Sequence, residues 1–266
     1  MTVRLGFIGT GNMGSAISIG LANEPLEIHG YDIHDEKLRE LAESCGMKAA
    51  SSPAELVRNC DYIILSVKPQ YAEQVLQDVM SELNEDKCLL SIAAGITQQS
   101  LRDLTQDRCP VVRVMPNTPA LVGEGVFAVC LDDARLSEKQ IDFVSNVFKP
   151  VGQVYILQEK YFDAFTAVVG SGPAYVFYFM EAMMESAVTL GFSRQDATEM
   201  VKSLFAGSVK LTQESDEHIS VLREMVTSPG GTTIQALNHL DRTATRANIN
   251  DAVKASFDRS VFLGKK

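Results

Sequence analysis

Val3-Arg4-Leu5-Gly6-Phe7-Ile8-Gly9-Thr10-Gly11-Asn12-Met13-Gly14 decides the fold of this chain. A short apolar run, Arg4–Ile8, ends in Gly9-Thr10-Gly11-Asn12-Met13-Gly14, and Asn12–Leu21 continues with helical character. A strand, then G-x-G-x-x-G, then a helix is the context in which that motif cradles a dinucleotide pyrophosphate. Gly9 permits the tight turn, Gly11 lets the pyrophosphate approach, and Gly14 lets helix pack on strand. Asp32 follows Gly11 at about the 20-residue spacing expected of an acid that binds the adenine-side ribose.

Outward from this stretch the chain alternates. Leu26–Asp32, Tyr62–Val67, Leu89–Ala94, Val111–Met115 and Phe127–Leu131 read as strands. His34–Cys45 reads as a helix with Leu38, Leu41 and Cys45 on one face. Continuous apolar strands separated by helices imply βαβ units and a parallel sheet covered on both faces. Lys68-Pro69 directly follows the strand that ends at Val67, and Ala93-Ala94-Gly95 ends another, at the carboxyl ends of strands where ligands of open α/β sheets lie. The pattern changes near Val154-Tyr155-Ile156-Leu157. Beyond it Tyr161–Val169, Ala174–Leu190, Arg194–Thr212, Gly231–Leu240 and Thr243–Leu263 all read as helices. The expected architecture is therefore α/β. A Rossmann-type parallel-sheet domain, residues 1–157, is followed by an all-helical C-terminal dimerisation domain, residues 158–266.

One helix carries the expectation of a partner. Tyr175, Val176, Phe177, Tyr178, Phe179, Met180, Ala182, Met183, Ala187 and Val188 surround the axis of Ala174–Leu190. A helix apolar on every face must be buried on every face, and a small helical domain lacks the mass to do so alone. In the helix Arg194–Thr212, by contrast, Ala197, Met200, Val201, Leu204 and Val209 form a single stripe.

A second ligand-facing stretch is Ser228-Pro229-Gly230-Gly231-Thr232-Thr233. Ser228 and Pro229 end what precedes them, the glycines allow close backbone approach, and Ile234, Leu237 and Leu240 recur at helical spacing. Free N–H groups at such a helix start suit a carboxylate or phosphate. The Thr233 hydroxyl, taken alone, more often bonds its own helix start.

The 266 residues are 45% hydrophobic and 22% charged, with a net charge of −10. That charge argues against a nucleic-acid partner, and no basic run exceeds Lys265-Lys266. An anionic ligand must then be held by local devices. Five cysteines (Cys45, Cys60, Cys88, Cys109 and Cys130) lack C-x-x-C spacing, so no metal site is expected, and they read as reduced core thiols. No apolar run has the length of a membrane span, and the expected location is the cytoplasm.

Together Gly9–Gly14, Val67-Lys68-Pro69, Ala93-Ala94-Gly95, Met115-Pro116-Asn117-Thr118-Pro119, Gly170-Ser171-Gly172-Pro173-Ala174-Tyr175 and Ser228–Ile234 resemble pyrroline-5-carboxylate reductase over essentially the whole chain. The resemblance implies reduction of a cyclic imine, 1-pyrroline-5-carboxylate, to L-proline by NADH or NADPH. It also implies a homodimer with interlocked helical domains, able to assemble further, to a decamer for instance. It places cofactor contacts on Ile8, Gly9, Thr10, Gly11, Asn12, Met13, Gly14, Asp32, Val67, Lys68 and Ala94. Its substrate contacts fall on Glu159, Glu224, Thr232 and Thr233, and the reading of the Ser228–Thr233 turn adds Ser228 and Gly231. The carboxylate is expected on the N–H groups of Gly231, Thr232 and Thr233, and the Thr233 hydroxyl, the expected catalytic group, on the ring nitrogen. Two departures stand out: Asp32 replaces a common Ser or Thr, and His218-Ile219 replaces a common His-Pro. Asp32, followed by Asp35 and Glu36 with His34 as the nearest relief, favours NADH because the 2′-phosphate of NADPH adds a like charge.

Two rivals share parts of this pattern. A dehydrogenase of the 3-hydroxyacid type requires a catalytic lysine on the long central helix, and Ala174–Leu190 has none. A non-catalytic NAD(P)-binding protein has no need of the Gly230-Gly231-Thr232-Thr233 turn.

Overall fold

The computed structural model describes residues 2–264, so Lys265-Lys266 lies outside the described residues. Eight strands form one sheet in the order β3-β2-β1-β4-β5-β6-β7-β8. They are β1 (Val3–Ile8), β2 (Leu26–Tyr31), β3 (Lys48–Ala49), β4 (Tyr62–Leu65), β5 (Cys88–Ser91), β6 (Val111–Met115), β7 (Gly125–Cys130) and β8 (Gly152–Ile156). Helices α1 (Asn12–Gly20), α2 (Asp35–Cys45), α3 (Pro53–Asn59), α4 (Pro69–Val79), α5 (Gln98–Thr105) and α6 (Glu138–Asn146) connect them. Local signals start several of these. Ser52 accepts the Glu55 N–H with Pro53 in the first turn of α3, and Ser137 and Gln140 form a reciprocal cap on α6.

The apolar strands are continuous because both faces of the sheet are covered. Leu5, Phe7, Tyr62, Ile64, Cys88, Leu90, Val112 and Val114 enter one core. The residues between them, among them Ile63, Leu65, Leu89 and Val111, enter a second core with Leu56, Leu76 and Leu101. Alternate side chains of a strand point to opposite faces, which accounts for the division. One part of the sheet departs from the parallel expectation: β7 pairs antiparallel with β6, Val114 opposite Val129. Only a short 3₁₀ turn, Thr118–Val122, joins them, too little chain for a crossover helix. β8 returns parallel to β7.

The helical half comprises α7 (Phe162–Phe165), α8 (Gly172–Thr189), α9 (Arg194–Glu214), α10 (Ile219–Met225), α11 (Thr232–Arg242) and α12 (Thr245–Gly264). A π-turn, Thr166–Gly170, extends α7, and Ala244 at φ 54° breaks α11 from α12. The short α10 has no sequence expectation behind it. His218 starts it, its Nδ1 accepting the Ser220 N–H at 3.2 Å, which gives the residue before Ile219 a capping task.

The chain forms two compact units, Gly172–Ala255 being one, and the residues up to Ser171 with those from Ser256 onward the other. This division falls later than the 157/158 boundary of the sequence reading. Phe162 and Phe165 pack with Ala128 and Cys130 of β7, and the Arg113 guanidinium lies 4.8 Å over the Phe162 ring. Ser260 donates to Asp163 at 2.6 Å, and the Ser171 and Ser256 hydroxyls bond at 3.1 Å.

In the other unit α8 lies against α9, yet none of its residues is buried; Phe177 and Tyr178 are 64% and 72% exposed. Of the stripe on α9, Ala197 and Val201 are buried while Met200, Leu204 and Val209 remain exposed.

Candidate functional site

Three glycines of the first loop do three different tasks. Gly9 has φ 92°, and a Cβ there would stand 2.7 Å from the Ser66 carbonyl oxygen. A Cβ on Gly14 would stand 2.6 Å from the Gly9 carbonyl oxygen, so helix and strand touch there. At Gly11 a Cβ would meet nothing within 4 Å: this side of the loop is open. Gly11 is also the N-cap of α1 and offers no side chain to its first N–H groups. An open cradle lined by helix-start N–H groups fits a pyrophosphate.

A groove of about 500 Å³ leads from this cradle past Ile8, Gly9, Asp32, Val67 and Lys68. It continues into a second hollow of about 440 Å³, lined by Asn12, Met13, Val67, Lys68 and Ala94 among others. The cofactor residues read from sequence are thus gathered, except that Gly14 packs inward and Thr10 is fully buried. The sequence reading missed Lys37 of α2 and Tyr71, Gln74 and Val75 of α4, which also line the groove. The i, i+3, i+4 spacing of the last three, starting just after Pro69 opens α4, was the available signal.

Thr10 is buried because it holds Asp32. The Asp32 Oδ2 accepts the Thr10 N–H at 2.7 Å and its Oγ1 hydroxyl at 3.0 Å, while Oδ1 accepts the His34 N–H at 3.0 Å. Burial alone would raise this carboxyl. The bonds from Thr10 and His34, with the Lys37 charge, outweigh it and hold the group below the usual carboxylate range.

The second candidate region lies between α10 and α11. Gly230 adopts φ 69°, and Gly231 is the N-cap of α11, again without a side-chain cap. One expectation is corrected here. The Gly231 N–H closes the turn onto the Ser228 carbonyl at 3.1 Å, which leaves the helix-start donors to Thr232 and Thr233. A Cβ on Gly231 would come 2.5 Å from Ser228 Oγ. The Thr233 hydroxyl makes no hydrogen bond to any described residue, so the self-capping alternative is not realised. Glu224 lines a small cavity of about 170 Å³ with Arg223, Thr227, Ile234, Asn238 and Asp241. Ser228, Gly231, Thr232 and Thr233 therefore form one turn, with Glu224 just before it.

Glu159 belongs to the sheet-bearing unit. Its Oε1 accepts the Gln98 N–H at 2.6 Å and Arg113 Nη1 at 3.0 Å. Arg113 is buried, so this carboxylate balances a charge within the fold.

Residues 159–263 match the family model described as pyrroline-5-carboxylate reductase dimerisation, and residues 4–95 match one described as NADP oxidoreductase, coenzyme F420-dependent. The chain is 38% identical to the pyrroline-5-carboxylate reductase of Escherichia coli (strain K12), covering 100% of both chains. It resembles a solved pyrroline-5-carboxylate reductase from Coxiella burnetii with TM-score 0.92, 30% identity and 100% coverage of both chains. A Plasmodium falciparum pyrroline carboxylate reductase solved with NADP bound gives TM-score 0.87 at 33% identity, covering 98% of each.

Proposed function

The chain belongs to the pyrroline-5-carboxylate reductase family, and from that premise we propose how its residues divide the work. It is an NAD(P)H-dependent oxidoreductase that reduces 1-pyrroline-5-carboxylate to L-proline. The cofactor supplies the hydride. Gly9–Gly14 hold its pyrophosphate, and Ile8, Val67, Lys68 and Ala94 line the rest of its groove. Asp32 accepts the adenine-side ribose hydroxyls through lone pairs that Thr10 and His34 leave free, which favours NADH.

A cyclic imine protonated on nitrogen is already electrophilic, so positioning matters more than strong acid catalysis. The substrate carboxylate lies on the Thr232 and Thr233 N–H groups, beside the open backbone of Gly230 and Gly231. The Thr233 hydroxyl holds the ring nitrogen in place. Glu224 borders this turn, and Glu159 keeps its second carboxylate oxygen, Oε2, free of Gln98 and Arg113 in the sheet-bearing unit. The observation that carries the substrate assignment is a hydroxyl at a helix start with no partner among the described residues, next to uncapped N–H donors. The lysine that a 3-hydroxyacid dehydrogenase needs is absent from α8.

The molecule is a homo-oligomer. The dimer is its unit, built on α8, with a decamer as one further assembly open to it. Its five thiols, none of them in a disulfide, suit the cytoplasm. Among the described residues no helix is long and apolar enough to cross a membrane. Turnover of 1-pyrroline-5-carboxylate by purified protein with NADH and with NADPH tests the activity. No turnover with either would overturn it.

A further inference from the structure

The cofactor assignment leaves one cation on the groove without a task. Lys37 sits in the first turn of α2, exposed, and lines the groove beside Asp32, Ile33 and His34. Among the described residues no carboxylate pairs with it at ion-pair distance. Among the described residues Lys68 is the only other lysine lining this groove. Lys68 precedes Pro69 at the start of α4 and also lines the hollow with Ile92, Ala93 and Ala94.

The Asp32 carboxylate is not a bare negative charge. Thr10 puts two donors on Oδ2 and His34 one on Oδ1. The Lys37 ammonium is among the charges that hold this carboxyl low. Asp35 and Glu36 precede Lys37 in the same turn, so a further anion arriving here needs a cation of its own.

We propose that Lys37 is the residue that admits a phosphorylated adenine-side ribose. It pairs with the 2′-phosphate of NADPH, while Asp32 serves the free hydroxyls of NADH. The two side chains then set the ratio of cofactor use between them, Asp32 favouring one cofactor and Lys37 giving access to the other. This rests on assigning the groove to the dinucleotide and Asp32 to its ribose.

Calorimetry with two nucleotide fragments, 5′-AMP and adenosine 2′,5′-bisphosphate, tests it directly. Lys37→Gln should weaken the bisphosphate roughly tenfold, the scale of one charge-assisted contact, and leave 5′-AMP within about twofold. Lys37→Arg should bind both as the wild type does. In turnover, Lys37→Gln should lower kcat/KM for NADPH and spare NADH. Equal weakening of both fragments, or no change in either, would overturn the proposal while leaving the groove assignment standing. Wild-type protein that binds neither fragment would overturn the groove assignment, and the proposal with it.

Discussion

Thr10 grips a single oxygen of Asp32 twice, its N–H at 2.7 Å and its hydroxyl at 3.0 Å from Oδ2. The glycine loop proposed to cradle the pyrophosphate and the acid proposed to meet the ribose are therefore tied to each other. A change in either is felt by the other.

Asp32→Ser should narrow or reverse the proposed preference for NADH, because it removes the charge that opposes a 2′-phosphate. Thr10→Val, which removes one of the two grips and about 1 kcal/mol of hydrogen bonding, should move NADH affinity the same way by less. The check is kcat/KM for the two cofactors in each protein. A wild type that favours NADPH contradicts the assignment of Asp32.

The turn before α11 is sensitive to a single methyl. Gly231→Ala places its Cβ 2.5 Å from Ser228 Oγ, so one of them must move. KM for the imine acid should rise sharply while cofactor affinity holds. Ser228→Ala in the same protein should recover part of the loss. An unchanged KM in folded Gly231→Ala would remove this turn from the substrate site.

Thr233→Val keeps shape and deletes the hydroxyl. It should lower kcat/KM by roughly ten- to a hundredfold, about 1.4–2.7 kcal/mol, the scale of one good hydrogen bond to a charged group. Because that hydroxyl bonds no described residue, thermal stability should hardly change. Normal kinetics would take Thr233 out of the chemistry.

Helix α8 should be covered in solution. Burying a side chain such as Phe177 or Tyr178 contributes about 2 kcal/mol, which an isolated chain forgoes. Light scattering at micromolar concentration should find at least a dimer. A stable, fully active monomer would contradict this.

Acid should weaken the sheet-bearing unit through Asp133. This carboxylate is buried, accepts the Val111 N–H at 2.9 Å and pairs with Arg135 Nη2 at 2.8 Å. Burial pushes it up, but Arg135 and the N–H groups of Val111 and Arg135 hold it below the usual range. A carboxyl lowered by folding stabilises above its unfolded value and loses that contribution as pH falls through its folded one. Asp133→Asn should cost about 2 kcal/mol near neutrality and less at low pH, read from denaturant midpoints. A constant difference across pH would contradict it.

The sheet was legible because burial on both faces writes uninterrupted apolar runs such as Tyr62–Leu65 and Val111–Met115. The two-residue β3, both of its residues exposed, carries no such run, and the reversal of β7 depends on loop length rather than on composition. The geometry of the Gly9–Gly14 loop was legible because glycine positions encode backbone clearance. Lys37 was not, because a charged residue in a helix turn looks the same whether it faces solvent or a groove. The Gly231 N–H was assigned to substrate because spacing alone does not reveal that a turn already uses it.

The return of residues from Ser256 onward to the sheet-bearing unit bears on how the chain is made. Synthesis runs from the N-terminus, so the nucleotide-binding half emerges first and waits unfinished. The Ser260–Asp163 and Ser171–Ser256 bonds form only after the intervening helices have left the ribosome. A gene cut after the eighth strand would thus yield a first product lacking its own last piece, and a second product carrying that piece without its seat.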